Sequence, residues 1–219
     1  MGKHRAILSI VLAGATSAWV WAQPNDQFLT WDKGQATSIG AAMRRVDNVG
    51  NRMSIRGLKT DRAINYKMRA TWLTAEVIRA TARLVQLNER LSPERTRALV
   101  DEAEAVSGTV VLIELDPNEG SGIIPDDWVA ILQPKGLPPG AAGAVRGVRM
   151  TKLADVRALG GVFKRDYAYD AFWVVFPLTQ ESGAAVLGPD TSEVELVVNI
   201  RGREALVSWP VPDSLRRRG

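Results

Sequence analysis

The chain contains no cysteine, and its only histidine is His4. Disulfides are excluded, as are thiolate zinc sites and iron–sulfur clusters held by Cys. If His4 is lost with an N-terminal leader, Ser-His-Asp catalysis and histidine-ligated metal or haem go with it. After residue 22 there is no further apolar run long enough to cross a bilayer. No βαβ rhythm is visible, which argues against a nucleotide-binding parallel sheet, and no cofactor is expected. Whatever chemistry remains would have to use carboxylates, Lys, Arg, Tyr, Ser or Thr.

What is present begins with an address. Lys3 and Arg5 make a short positive region, and Ala6 to Gly14 is apolar except for Ser9. Small residues follow, and Val20 and Ala22 stand at the −3 and −1 positions before Gln23. This order is that of a secretory signal peptide over residues 1–22, so the protein is expected in a periplasm or outside the cell. The alternative is an uncleaved anchor, with Trp19 and Trp21 at the membrane interface. Cleavage is the preferred reading, because Ala6 to Ala22 falls short of the roughly 20 residues that a span needs.

Charge is unevenly spread. Residues 33–83 hold eleven Lys or Arg against three Asp or Glu, whereas residues 107–213 hold nine against fourteen. A basic N-terminal half is thus joined to an acidic C-terminal half, and Arg216, Arg217 and Arg218 close the chain.

The expected fold class is α+β: an N-terminal helical hairpin followed by an antiparallel β-sandwich or barrel-like domain. Residues 23–37 read as a flexible leader. Ile39, Ala42, Met43 and Val46 then fall on one helical face. Tyr66, Ala70, Leu73, Val77, Ala80, Leu84, Leu87 and Leu91 keep an a/d spacing, which predicts a helix over 61–91. Ser92 as N-cap, Pro93 at the first helical position and Glu94 in the first turn predict a second helix over 93–106. This helical region spans 38–107. From Gly108 to 213 the pattern is of short strands and turns, with strands expected at 109–115, 128–133, 144–150, 172–176, 194–200 and 205–209. One or two helical turns are expected at 151–159, a hairpin turn at Arg201-Gly202-Arg203, and a basic tail at 214–219.

Three constellations could carry function. Asp116, Asn118, Asp126 and Asp127 surround a Gly-rich turn and offer hard oxygen ligands of the kind Ca²⁺ takes. The match to a calcium loop breaks at Gly120 and Ser121, and the same residues suit ordinary turns, so no metal is expected. Asp166, Tyr167, Tyr169 and Asp170 precede an apolar strand and could serve acid/base or glycosidic chemistry, although no partner nucleophile is identifiable. Arg44, Arg45, Arg52, Arg56, Lys59, Arg62, Lys67 and Arg69 could bind a polyanion or a partner, or could complement the acidic half of the same chain.

These readings favour a non-enzymatic exported module that binds or assembles with an envelope protein or a polyanionic glycan. Export argues against nucleic acid, and a membrane role requires the leader to stay attached. The rival is a carboxylate-dependent hydrolase or lyase acting on an envelope polymer.

Overall fold

A computed structural model describes residues 24–50, 65–117, 122–138, 141, 143–180 and 183–216. The leader expected at 1–22 lies outside the described residues. The fold is mixed α+β with two antiparallel sheets that do not close into a barrel. One sheet has the strand order β1-β2-β3-β7-β6: β1 is Arg44–Val49, β2 Tyr66–Trp72, β3 Thr109–Pro117, β6 Val148–Arg149 and β7 Asp170–Phe176. The other has the order β5-β4-β8-β9: β4 is Val129–Pro134, β5 Val145–Arg146, β8 Glu193–Ile200 and β9 Arg203–Pro210. Helices α1 (Lys33–Ala41), α2 (Ala75–Glu89) and α3 (Pro93–Glu104) are accompanied by the single turn α4 (Asp213–Arg216).

Strand alternation sets the layers. Successive residues of a strand point to opposite faces. In β3, Val111, Ile113 and Leu115 join a core shared with the second sheet, whose Leu132, Leu196, Val198 and Trp209 belong to the same cluster. Val110 and Leu112 face the other way and join α2 and α3 through Val77, Ile78, Val100 and Ala103. The order through the molecule is therefore helices, first sheet, second sheet. Trp72 and Trp209 lie in the shared core with ring centroids 5.9 Å apart. Each buried indole N–H finds an acceptor, Trp72 in the Thr109 hydroxyl at 2.7 Å and Trp209 in the Met43 carbonyl at 2.8 Å, as buried tryptophan requires.

Two features tie the edges of the sheets together. At one side the chain leaves β5, turns at Gly147 and enters β6, passing from the second sheet to the first. A Cβ on Gly147 would stand 2.3 Å from Val174 Cγ1 and 2.7 Å from Phe176 Cε1, so only glycine fits. At the other side β1 and β9 meet without a ladder. The Leu206 N–H donates to Asp47 Oδ2 at 2.7 Å, Arg45 Nε donates to the Ser208 carbonyl at 3.1 Å, and the Gly50 N–H donates to the Glu204 carbonyl at 3.4 Å.

Several expectations need correction. The helix expected over 61–91 is two elements: residues 61–64 lie outside the described residues, 66–72 form β2, and α2 begins only at Ala75. Tyr66, Met68, Ala70 and Trp72 are buried at a period of two, and Tyr66 and Ala70 satisfy both that period and the heptad. The contest is settled by pairing, since β2 lies between β1 and β3. Thr74, in extended conformation, caps α2 by accepting from the Val77 N–H. The helical face expected around 39–46 is likewise cut short. Asp32 caps α1 by accepting from the Gln35 N–H at 2.7 Å, the helix ends at Ala41, and Arg44–Val49 is strand.

The turn between α2 and α3 and the Ser92 cap fall where expected, with Arg90 in the left-handed region closing α2. The Arg79–Glu104 ion pair at 2.9 Å joins the start of α2 to the end of α3, so the two helices run antiparallel. The expected leader over 23–37 is packed from Pro24 onward: a 3₁₀ turn spans Pro24–Thr30, Phe28 is buried, and Arg97 grips Asp26 through bonds of 2.9 to 3.1 Å. The expected tail at 214–219 begins as the helical turn α4, with Leu215 against the shared core.

Two outcomes follow from this packing. Gly147→Ala should lower unfolding stability by about 1–3 kcal/mol through overpacking, read as a lower urea midpoint; an unchanged midpoint would refute the corner assignment. The Arg97 guanidinium holds the Asp26 carboxyl below its ordinary value of 3.8. Its stabilising contribution is therefore present above that value and lost as pH falls through the lowered one. Wild type should exceed Asp26→Asn in urea midpoint near neutrality, and the gap should narrow as pH falls below the ordinary value of 3.8. A pH-independent gap would contradict the clamp.

Candidate functional site

The outer face of the first sheet is only partly covered by helices. The register places Arg44, Thr71, Leu112 and Trp173 in one row across β1, β2, β3 and β7. The next row is Val46, Arg69, Glu114 and Ala171, and the third is Asn48, Lys67 and Asp116. The apolar end of this face meets α2 and α3. The charged end meets the loop that leads into β7.

That loop is fastened through Arg69. The Arg69 guanidinium lies 3.7 Å from the centre of the Tyr169 ring and 3.3 Å from Asp166 Oδ2. Asp166 also accepts from the Ala168 N–H at 3.1 Å, which shapes the loop locally. Glu114 is buried, and its partner is Arg44 at 3.8 Å. Arg44 in turn stacks 4.1 Å from the Phe163 ring centre. Lys67 pairs with Asp116 at 3.6 Å directly across the strands. Under the loop is a cleft of about 260 Å³ whose walls include Thr71, Leu112, Glu114, Phe163, Arg165 and Trp173.

Of the residues expected to carry acid/base chemistry, Asp166 and Tyr169 meet at Arg69, whereas Tyr167 and Asp170 do not join them there. Asp166 and Tyr169 anchor the loop on the outer face. Asp170 begins β7 opposite Leu115, on the face turned toward the second sheet. Tyr167 projects from the loop at 94% exposure. The arrangement fits a structural clasp and supplies no paired carboxylates.

The calcium candidates also disperse. Asp116 is engaged by Lys67, Asn118 lies outside the described residues, and Asp126 and Asp127 form a turn ahead of β4. Among the described residues no group of three or more His, Cys, Asp or Glu could hold a metal ion.

Of the basic series, Arg52, Arg56, Lys59 and Arg62 lie outside the described residues. Arg44 and Arg45, adjacent in sequence, point to opposite faces of β1. Arg45 is used at the β1–β9 seam, and it also donates to the Ala42 carbonyl at 2.8 Å. Arg44, Lys67 and Arg69 each have a carboxylate partner on the outer face. Sequence reasoning missed Glu114, Phe163 and Trp173. Glu114 had a usable signal: a lone carboxylate inside the apolar run Thr109–Leu115.

No protein family, curated protein or solved structure matches the chain.

The clasp has a measurable consequence. Arg69→Ala removes a cation–π contact and an ion pair together, and it should cost about 1–2 kcal/mol of stability. It should also speed tryptic cleavage after Lys164 and Arg165, whereas Asp166→Asn should give only part of either effect. Cleavage at the wild-type rate in Arg69→Ala would show that the loop is held by something else.

Proposed function

We propose that this chain is an exported, non-enzymatic binding module of the cell envelope, and that it docks a protein partner through the uncovered part of the outer face of its first sheet. One observation carries the choice of partner. The cations on the strands of that face, Arg44, Lys67 and Arg69, are paired within the chain, while Val46, Phe163 and Tyr167 stay 70%, 40% and 94% exposed. A polyanionic glycan would have to compete with Glu114, Asp116 and Asp166 for Arg44, Lys67 and Arg69. A protein surface instead gains from exposed aromatic and aliphatic groups set among satisfied charges, the composition typical of interface cores.

Support for export is the order of charges, apolar residues and small residues over Lys3 to Ala22. Among the described residues no helix is long and apolar enough to cross a membrane. The hydrolase reading loses support from the separation of Asp166 and Asp170 onto opposite faces of the first sheet.

Two measurements test the proposal. Protein recovered from the envelope fraction should begin at Gln23; an intact Met1 would replace release with anchoring. A photocrosslinker placed at position 46 or at position 167 should give an adduct with the same protein, and one at Glu102 on α3 should not. Adducts from all three positions, or from none, would remove this face as the docking surface.

A further inference from the structure

A second cleft, of about 240 Å³, lies at the corner where the chain passes from one sheet to the other. Its walls include Asp126 and Asp127 from the turn before β4, Trp128, and Arg146 and Arg149 on either side of Gly147. These two carboxylates and two guanidinium groups share one cleft, yet no ion pair joins them. The contact between the sets runs from the Arg149 guanidinium to the Asp126 backbone carbonyl, and among the described residues neither carboxylate has an ion-pair partner. Arg149 also sits 5.2 Å from the centre of the Trp128 ring. The Trp128 indole N–H is buried and has no acceptor. An unmet buried donor is destabilising, so its lack of a partner calls for an explanation.

The frame that carries these groups is rigid. The Gly147 N–H donates to the Ala130 carbonyl at 2.9 Å, and the bare α-carbon of Gly147 is packed on Val174 and Phe176. Trp128 is held edge-on to Phe172, with centroids 5.2 Å apart. The backbone that carries charges of both signs is thus held around a small space, and the exposed side chains of Asp126, Asp127, Arg146 and Arg149 form no ion pair with one another.

We propose that this corner cleft binds a small zwitterion, an amino acid or short peptide with a free ammonium and a free carboxylate. The ammonium goes to Asp126 and Asp127, and the carboxylate goes to Arg146 and Arg149. Arg149 leaves the face of the Trp128 ring for that carboxylate, so the Trp128 indole, which lines the same cleft, reports the binding. A simple anion would meet both aspartates, and a simple cation would meet both arginines. A molecule bearing the two charges together satisfies each set, which is how opposed fixed charges select a ligand. The volume lies below the usual range of about 300–1,000 Å³ for drug-sized ligands, so the ligand is small.

The test is a titration of the ¹⁵N-labelled protein with L-alanyl-L-alanine, following the indole N–H signals. Trp128→Phe identifies the Trp128 signal. It should shift saturably with the dipeptide. Acetylating the dipeptide's amine or amidating its carboxylate should each weaken binding by about tenfold or more, as should Asp127→Asn and Arg146→Gln. Both substituted residues are exposed, and unchanged signals elsewhere would certify the fold. Absence of a saturable shift would overturn the proposal. So would equal binding of the blocked dipeptides, of inorganic phosphate or of N-acetylglucosamine.

Discussion

Everything in this fold hangs on β3, a strand with no solvent side. Its odd-numbered residues Thr109 to Leu115 face the second sheet, and Val110 and Leu112 face the helices. Removing water from both sides of one strand couples two cores whose buried members are distinct and which Met43 also touches from the side. Burial at roughly 25 cal/mol per Å² of apolar surface is the driving term, and here it acts on two interfaces through one backbone. Glu114 breaks the run where helical cover ends, and from that row onward the outer face turns polar. The boundary between scaffold and candidate site is thus written into a single strand.

The site inherits its character from this boundary. Helices cannot cover the far rows, because Lys67, Arg69, Glu114 and Asp116 would be desolvated. The loop before β7 covers them instead, and it does so through side chains that answer each charge. Arg69 serves Asp166 and Tyr169, and Arg44 serves Glu114 and Phe163. Among the described residues, the positive charge of Arg44, Arg45, Lys67 and Arg69 that looked available in the sequence is engaged inside the chain. The basic and acidic halves meet on one sheet, since β1 and β2 come from the first half and β3 and β7 from the second.

Much of the second half was legible because its signals are local. Pro, Gly and Asp-Pro turns bound the strands, and alternation marks β8 and β9, joined at Arg201 and Gly202 with positive φ as a tight hairpin requires. The Ser92-Pro93-Glu94 start of α3 was equally local. The first half misled for a physical reason. Tyr66 and Ala70 fit a helical seam and a strand alternation equally well, and only the neighbouring strands β1 and β3 decide between them. Asp32 as the cap of α1 was hidden by the polar residues around it. The clefts were not legible, because they assemble groups from strands far apart in sequence. Glu114, a charge amid β-branched residues, was a usable but overlooked mark of one cleft, and Asp126 and Asp127, singled out as turn carboxylates, belong to the other.

The seam between β1 and β9 bears on how the protein behaves when crowded. A bare strand edge is a template on which a second chain can build, and it is the usual starting point for aggregation. On β9 the groups that would offer that template, at Glu204, Leu206 and Ser208, are already occupied by Gly50, Asp47 and Arg45. At the opposite margins β5 and β6 are two residues each, too short to recruit a neighbour. A protein without disulfides has thus closed one margin through the β1–β9 seam and kept the outermost strands of the other to two residues each.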